Sequence, residues 1–347
     1  MSTEHIVSES DQILVTGSSG FIGAKVVEVL LEYGFRRVRC FVRPSSRMER
    51  LNNVLSRFPN SQNIEVVTGD LLSRDACAEA AEGVSAIFHL AAGFDKSFAA
   101  AFMNSALATR NLLDAFQQFG KPKRFVNVSS FAVYSNLHLK RHAMLDETCP
   151  LEDAPQERFD AYGFGKLKQE QIVKEYGLKY QIPYVILRLG YVFGPGKREL
   201  SGRVGINTFG FFIHLGRSNL LPLTYVDNCA EAIVLAGLKP GIEGEIFNVV
   251  DDDPLTSREF LRAYKKRTGT FSLSIPYPLT KLLCAGWERY AEATQHQLPP
   301  VFNRRRCAAE WKGNRYSNQK LKDRLGWKPR VTMKEAVASF IAQFSKS

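Results

Sequence analysis

A glycine-rich turn near the start of the chain constrains the fold more than any other feature. The apolar run QILVT (12–16) is followed by GSSGFIG (17–23), and a helical pattern begins near Phe21. Gly17 can form the tight turn, Gly20 lets backbone amides approach a pyrophosphate, and Gly23 lets the helix pack closely on the strand. This strand–turn–helix context predicts a dinucleotide-binding unit. The predicted cofactor contacts of the turn are Gly17, Ser19, Gly20, Phe21, Ile22 and Gly23.

Strand-like apolar runs alternate with helical patterns through the first half of the chain. The clearest helical patterns cover 101–119 and 161–176. The further strand-like runs are 37–42, 64–68, 86–91, 124–129 and 184–189. Such alternation is typical of a parallel sheet covered by helices on both faces, and it predicts an α/β, doubly wound Rossmann fold.

The pattern changes after Leu189, which predicts a second lobe. Residues 194–223 are rich in glycine without a clear period, so we expect long loops with short elements there. A helix near 228–237 and a strand near 245–250 indicate a return to the sheet. The predicted division is 10–190 with 224–250 for the dinucleotide-binding domain, and 191–223 with 251–347 for a smaller, mostly helical substrate lobe.

Composition narrows the functional classes. The 347 residues are 45% apolar, which excludes wholesale disorder. The six cysteines are scattered without metal-ligand spacing, which favours reduced thiols in a cytoplasmic protein and no metal. No apolar run reaches the roughly 20 residues of a membrane span, and the polar beginning of the chain is unlike a secretory signal. The net charge of +11 indicates a negatively charged partner, which could be a nucleic acid, an acidic membrane surface or a phosphorylated small molecule.

Two arginines after the second predicted strand favour NADP over NAD. Arg43 stands where an acid would hold the ribose of NAD, and Arg47 follows within the stretch VRPSSR (42–47). Guanidinium groups and serine hydroxyls suit a 2′-phosphate. Asp70, followed by Leu71, either accepts a hydrogen bond from the adenine amino group or caps the next helix. The small residues Ala91, Ala92 and Gly93 would let the cofactor ribose lie against the backbone.

A tyrosine and a lysine form the candidate catalytic pair. Tyr162 and Lys166 stand four residues apart, which places them on one face of a helix. A neighbouring ammonium, together with an oxidised nicotinamide, favours the phenolate and lowers the pKa of a tyrosine. Ser129 and Ser130 end the fifth predicted strand, where a hydroxyl could orient a substrate oxygen toward Tyr162. The combination predicts proton transfer coupled to hydride transfer.

These motifs together resemble extended short-chain dehydrogenases/reductases, the NAD-dependent epimerase/dehydratase superfamily, across essentially the whole chain. The matching segments are GSSGFIG (17–23), GDL (69–71), HLAAG (89–93), NVSSFAVY (127–134), YGFGK (162–166), LRLGYVFGPG (187–196), TYVDNCAEAI (224–233) and YSNQKLKDRLGWKPRV (316–331). The resemblance implies that Tyr162 donates or accepts the proton and that Lys166 holds the nicotinamide ribose and tunes the tyrosine. It favours Ser130 over Ser129 as the catalytic hydroxyl. It also implies a homodimer that pairs helices 101–119 and 161–176.

The resemblance suggests further cofactor and substrate contacts. The backbone from Leu189 to Val192 would face the nicotinamide carboxamide, and Tyr191 would lie beside the substrate. Phe94 would contribute to an apolar substrate pocket. The phenylalanines that could line this pocket or simply belong to the core are Phe94, Phe98, Phe209, Phe211 and Phe212.

The branches of the superfamily differ in the residues that they require near the catalytic site and the substrate. A 4,6-dehydratase needs an Asp-Glu pair after the catalytic hydroxyl, but the chain has Phe131-Ala132 there. Nucleotide-sugar 4-epimerases with tightly bound NAD usually hold the diphosphate with arginines, for which only Arg217 or Arg304–Arg306 could substitute here. The segments LPLTYVDN (221–228) and 298–331 are more similar to 3β-hydroxysteroid dehydrogenase-like and dihydroflavonol-reductase-like branches.

We therefore expect an oxidoreductase that prefers NADP(H) and interconverts a secondary alcohol and a ketone on a small-molecule substrate. The alternative is a nucleotide-sugar 4-epimerase. A non-catalytic redox sensor would have no use for the Ser–Tyr–Lys set. A nucleic-acid binder is disfavoured because no nucleic-acid fold is recognised.

Overall fold

The computed structural model of the chain describes residues 5–58, 64–93, 97–208, 211–295 and 297–344. The strands are β1 Gln12–Thr16, β2 Val38–Val42, β3 Glu65–Thr68, β4 Val84–His89, β5 Arg124–Ser130, β6 Met144–Leu145, β7 Tyr184–Leu189, β8 Tyr191–Phe193, β9 Gly205–Thr208, β10 Phe211–Gly216, β11 Leu223–Tyr225, β12 Ile246–Val249, β13 Ser272–Pro276 and β14 Arg315–Tyr316. The α-helices are α1 Phe21–Glu32, α2 Glu49–Leu55, α3 Arg74–Ala81, α4 Phe98–Ala101, α5 Ala108–Phe119, α6 Ala161–Tyr180, α7 Val226–Leu238, α8 Ser257–Thr268, α9 Tyr277–Ala293, α10 Arg304–Trp311, α11 Gln319–Leu325 and α12 Met333–Ala342.

A seven-stranded parallel sheet with the order β12-β7-β5-β4-β1-β2-β3 forms the centre of the molecule. Every residue of β1 and β4 is buried, because helices cover both faces of the sheet. The predicted doubly wound Rossmann fold is confirmed. The chain moves outward from β1 to β3 and then returns to β4 on the other side of β1. That reversal opens a crevice at the carboxyl ends of β1 and β4, where open α/β sheets bind ligands.

The helix predicted over 101–119 is interrupted. A π-helical segment, Phe102–Leu107, joins α4 to α5. Such a segment fits an extra residue into the helix, and a hydrophobic pattern alone does not reveal it.

The second lobe contains more regular structure than the sequence predicted. Strands β9 and β10 lie in the glycine-rich segment 194–223 and pair with β13 in a three-stranded sheet. The predicted return to the main sheet is made by α7 and by β12, which pairs with β7. Phe212 is buried in the core of this lobe together with Phe193 and Phe260, so its role is packing. No helix within the described ranges meets the length and apolarity needed to cross a bilayer.

Candidate functional site

The glycine turn has the geometry that a pyrophosphate needs. Gly17 has a φ of 69°, a conformation that side chains with a Cβ rarely adopt. A Cβ on Gly23 would lie 2.1 Å from the Gly17 carbonyl oxygen, so only glycine lets α1 approach the turn this closely. Gly20 is the N-cap of α1 and provides no side-chain cap. The first amides of α1 are therefore free of side-chain capping and can bind phosphate oxygens.

A cavity of about 270 Å³ extends from this turn along the crevice. Its lining includes most of the predicted cofactor contacts, namely Gly17, Ser19, Gly20, Arg43, Asp70, Leu71, Ala91, Ala92 and Gly93. Ser46, from the predicted phosphate-binding stretch 42–47, lines it as well, and so do Phe41 and Asn104, which the sequence did not suggest. Phe21, Ile22 and Gly23 belong to the first turn of α1. The residues present thus fit a bound dinucleotide.

Arg43 lies at the end of the cavity that follows β2. Its side chain is exposed, and its backbone amide donates to the Ser46 hydroxyl at 3.0 Å, which closes a tight turn. Arg47 is exposed as well but does not line the cavity. The turn therefore presents one guanidinium and one hydroxyl to the cavity.

Asp70 does not cap the helix that follows it. The Asp70 carboxylate accepts from the Leu72 amide at 2.9 Å, whereas the N-cap of α3 is Ser73, whose hydroxyl accepts from the Ala76 amide at 3.2 Å. The capping alternative for Asp70 is wrong because the helix begins three residues later than that alternative requires.

Ser130 and Tyr162 meet at the carboxyl end of β5. The Ser130 hydroxyl lies beside the Tyr162 phenol and acts to lower its pKa. The neighbouring Ser129 points into the protein, where it donates to Glu170 at 2.6 Å. Glu170 is held in turn by a buried bidentate contact from Arg188, at 3.0 and 2.8 Å. Ser130 is thus the hydroxyl that can share a substrate oxygen with Tyr162.

Arg158 joins the two catalytic elements, a role that no motif in the sequence indicated. Its buried guanidinium donates to the backbone carbonyls of Ala132 and Tyr134, which directly follow Ser130. The same group contacts Asp160 at 2.7 Å. Asp160 is the N-cap of α6 and accepts from the Gly163 amide at 2.8 Å. Arg158 therefore fixes the serine segment relative to the first turn of the tyrosine helix.

Lys166 lies one turn beyond Tyr162 with its ammonium buried. Nζ donates to the Val128 carbonyl at 2.6 Å and to Gln169 Oε1 at 2.9 Å. An ammonium has three donors, so one is left for a ligand such as a ribose hydroxyl.

A buried chain of hydrogen bonds fixes the orientation of the Gln169 amide. The Thr109 hydroxyl donates to the Ser105 carbonyl at 2.6 Å. It therefore accepts from Gln169 Nε2 at 2.8 Å and from His89 Nε2 at 2.9 Å. Gln169 consequently turns its oxygen toward Lys166. His89 carries its proton on Nε2, and its Nδ1 accepts from the hydroxyl of the last residue of β1 at 2.8 Å.

Burial controls the protonation of this site. Desolvation raises the pKa of Tyr162 to about 12; the neighbouring Ser130 hydroxyl opposes this shift, and the charge of Asp160 adds to it. Desolvation also lowers the pKa of Lys166 to about 7, against the opposing charge of Glu170. Without a bound cofactor, burial thus outweighs the lowering of the tyrosine pKa that the sequence predicted.

The predicted contacts after β7 have partners within the protein. Leu189 and Val192 are buried, in β7 and β8 respectively. The Tyr191 hydroxyl donates to the Glu199 carbonyl at 2.6 Å, and the Lys197 ammonium lies 4.1 Å from its ring centre. Phe94 and Phe209 lie outside the described residues.

Two of the four arginines considered for an anionic substrate already have carboxylate partners. Arg304 pairs with Glu288 at 2.7 Å. Arg305 contacts carboxylates on the segment before α6, at 2.8 to 3.0 Å. Arg217 is exposed and has no ion pair with any described residue.

The chain is similar in sequence to proteins named as dehydrogenases and to one named as an epimerase. A 3 beta-hydroxysteroid dehydrogenase/Delta 5-->4-isomerase of Mycobacterium tuberculosis is 27% identical, with 99% of this chain and 93% of that protein covered. The sterol-4-alpha-carboxylate 3-dehydrogenase, decarboxylating, of Mus musculus is 25% identical, with 97% and 92% covered. An uncharacterized UDP-glucose epimerase, YtcB, of Bacillus subtilis is 28% identical, with 69% and 76% covered.

Solved structures show the same fold. The structure of gox2253 has a TM-score of 0.75 at 24% identity, with 96% of this chain and 98% of that chain covered. The UDP-glucuronic acid 4-epimerase of Bacillus cereus, in complex with NAD, has a TM-score of 0.71 at 21% identity, with the same shares covered. A family model matches residues 13–249, which is well over half of the chain. The resemblance seen in the motifs is thus confirmed, and the chain belongs to the NAD dependent epimerase/dehydratase family.

Proposed function

We propose that the protein is an NADP(H)-preferring oxidoreductase that interconverts a secondary alcohol and a ketone. The observation that carries this proposal is the position of Ser130 beside the Tyr162 phenol, one helical turn from the buried Lys166. The relatives named as hydroxysteroid and sterol dehydrogenases support a small lipophilic alcohol as the substrate.

Each residue of the site has a distinct task in this proposal. Ser130 binds the substrate oxygen and orients it toward Tyr162. The Tyr162 hydroxyl donates its proton to that oxygen during reduction and takes it back during oxidation. Lys166 binds the ribose with its remaining N–H and places positive charge near the phenol, which stabilises the phenolate. When bound, the nicotinamide supplies or accepts the hydride.

Other residues bind the cofactor and set its type. The amides at the start of α1 bind the pyrophosphate, and Arg43 with Ser46 binds the 2′-phosphate. Exposed apolar residues beside α5 and α6, among them Met103 and Leu178, support a homodimer through these helices. All six cysteines are free thiols, which suits a reducing compartment such as the cytoplasm.

The test is a Tyr162→Phe variant, which keeps the ring and removes the exchangeable proton. General acid–base catalysis contributes about 10²- to 10⁴-fold, so we expect kcat to fall by at least about a hundredfold. Binding of NADPH, followed by fluorescence titration, should stay within about twofold because the phenol contributes little to cofactor affinity. A variant that retains more than about a tenth of the wild-type rate would falsify the role of Tyr162.

A nucleotide-sugar 4-epimerase is the second candidate, supported by the relative named as a UDP-glucose epimerase. Such an enzyme must retain its cofactor through oxidation and re-reduction. Denaturing the purified protein and identifying any released nucleotide separates the two candidates. Stoichiometric NAD would support the epimerase, whereas an empty site that binds NADPH more tightly than NADH would support the reductase.

A further inference from the structure

The substrate lobe has an apolar surface that the catalytic site does not use. Six large apolar side chains there are between 45 and 67% exposed. They are Phe271 and Leu273 at the β13 edge strand, and Leu279, Leu282, Leu283 and Tyr290 on α9. We call this set the α9 surface.

The fully buried residues of helix α9 are small, and three of its leucines and Tyr290 are exposed. The buried residues of α9 are Thr280, Cys284 and Ala291, which face β10, β13 and α10. Leu282 is 67% exposed on the side opposite Thr280 and Ala291, and Leu283 is 52% exposed on the flank of the helix between the two sides. A surface helix ordinarily places charged and polar residues on that side. A contiguous apolar patch of this kind indicates an interaction site.

The same region holds most of the chain's excess positive charge. Residues 257–306 contain ten Lys or Arg and three Glu, a net charge of +7 out of the +11 of the whole chain. This charge excess has no role in the proposed reaction.

Several of these cations border the α9 surface. Lys265 Nζ donates to Ser272 on β13 at 3.0 Å, which places α8 beside the strand that carries Leu273. Lys281 and Arg289 lie on α9 itself and are exposed. Neither forms an ion pair with a residue that the structure describes. Lys281 and Arg289 are balanced in number by Glu288 and Glu292 on the same helix, so the excess positive charge beside the exposed leucines comes from α8, which holds five Lys or Arg and one Glu.

We propose that the α9 surface docks on an anionic lipid bilayer. The leucines of α9 enter the boundary between headgroups and acyl chains, and Lys281, Arg289 and the cations of α8 bind lipid phosphates. Interfacial helices combine the same two features, a leucine-rich side and flanking Lys and Arg. Docking would also bring the substrate lobe close to lipophilic molecules dissolved in the membrane.

Other partners fit this surface less well. A second copy of the chain would bring the same positive charges together across a symmetric interface, which is unfavourable. A nucleic acid would use the cations but would leave the leucines exposed to water. An anionic lipid surface uses both the charge and the apolar residues.

The experiment is co-sedimentation of the full chain with phosphatidylcholine vesicles, with and without phosphatidylglycerol. We expect binding to the anionic vesicles, weakened by salt and much weaker on phosphatidylcholine alone. The double variant Leu282→Glu/Leu283→Glu should reduce the partition coefficient between vesicles and water by at least about a hundredfold, because it removes two aliphatic side chains that the bilayer would bury. Lys281→Glu/Arg289→Glu should reduce it by roughly tenfold.

The control is Val66→Glu, which places a charge at an exposed aliphatic residue of the edge strand β3, 43% exposed. It should bind vesicles like the wild type. Unchanged NADPH binding in every variant verifies that the fold is intact, and the vesicle assay does not depend on which reaction is catalysed. The proposal is overturned if the wild type does not sediment with anionic vesicles or if the leucine variant binds them equally well. It is also overturned if that variant converts a dimer into a monomer, because a second copy would then cover the surface.

Discussion

The Gln169 amide determines how many hydrogen bonds are left to the Lys166 ammonium. Its nitrogen donates to Thr109, so its oxygen must accept from the lysine. This contact offsets part of the desolvation that lowers the pKa of Lys166 to about 7. Gln169 therefore acts as a positioning residue whose oxygen favours the charged form of the lysine.

Replacing Gln169 should shift the pH dependence of the reaction. Gln169→Leu removes the acceptor, so the pKa of Lys166 falls further and the alkaline limb of the kcat profile should move to lower pH. Gln169→Glu adds a negative charge and should move the limb to higher pH. The profile is measured by initial rates across the neutral range.

The control for this change is Gln171→Leu, an exposed residue on the same helix that bonds to Glu175 at 2.9 Å. Its profile should match the wild type. If Gln169→Leu and Gln169→Glu shift the limb in the same direction, the effect is structural and the positioning role is wrong.

Arg43 is the residue at which the cofactor preference can be tested. Arg43→Asp replaces the proposed phosphate contact with an acid that can accept from a ribose hydroxyl, so NADPH should bind about tenfold to a hundredfold more weakly and NADH more tightly. Isothermal titration with both cofactors measures the change. Arg37→Asp makes the same charge change just before β2, at the end of the strand away from the cavity, and should leave both affinities unaltered. No change in either affinity for Arg43→Asp would refute the phosphate assignment.

At the scale of elements, α5 and α6 hold the hydrogen bonds that support Lys166 and also present a surface to solvent. Thr109 belongs to α5 and Gln169 to α6, so their hydrogen bond fixes one helix against the other. On the outer side, Met103 is 42% exposed in the π-helical segment that leads into α5. A groove of about 440 Å³ runs along α6 and is lined by Phe164, Leu167 and the segment before the helix.

A charge on this outer side should prevent dimer formation. Met103→Glu places a carboxylate at the proposed interface of α5 and α6, where it would lose its hydration. We expect the variant to elute as a monomer in size-exclusion chromatography with light scattering, at concentrations where the wild type is a dimer. Val66→Glu, far from these helices on β3, should remain dimeric. A monomeric wild type, or a dimeric Met103→Glu variant, would contradict the assignment.

For the whole molecule, buried basic groups make stability depend on pH. Complete burial, together with the charge of Lys166, lowers the pKa of His89 to about 3 from an ordinary 6.5. Between these two values the unfolded chain binds more protons than the folded chain, so stability falls as the pH drops from about 6.5 toward 3.

Removing this histidine should reduce the loss of stability in acid. The unfolding free energy of the wild type should decrease with falling pH by up to about 1.4 kcal/mol per pH unit more than that of His89→Gln. Urea titrations at several pH values below 6.5 measure this difference. His138→Gln, at an exposed histidine, should follow the wild type. Parallel curves for the wild type and His89→Gln would show that His89 does not contribute.

The sequence predicted those parts of the molecule that depend on short-range pattern. The glycine turn and the spacing of Tyr162 and Lys166 are local, and the order of strands and helices follows from hydrophobic period. The contacts of Gln169 with Thr109, and of Thr109 with His89, join residues 60 and 20 positions apart, so only the folded chain brings them together. Arg158 was missed for the same reason, since the carbonyls it binds lie 24 and 26 residues earlier.

The strand order has a consequence for how the protein is made. Strand β1 is synthesised first and lies inside the sheet, with β2 and β3 added on one side and β4, β5, β7 and β12 on the other. On the ribosome, each of these strands can therefore add to an edge that already exists, without having to insert between two paired strands. One end of the growing sheet stays open to the next strand until β12 has emerged. The nascent chain thus presents a paired strand edge to each new strand as it emerges, and β12 closes the series at one end of the sheet.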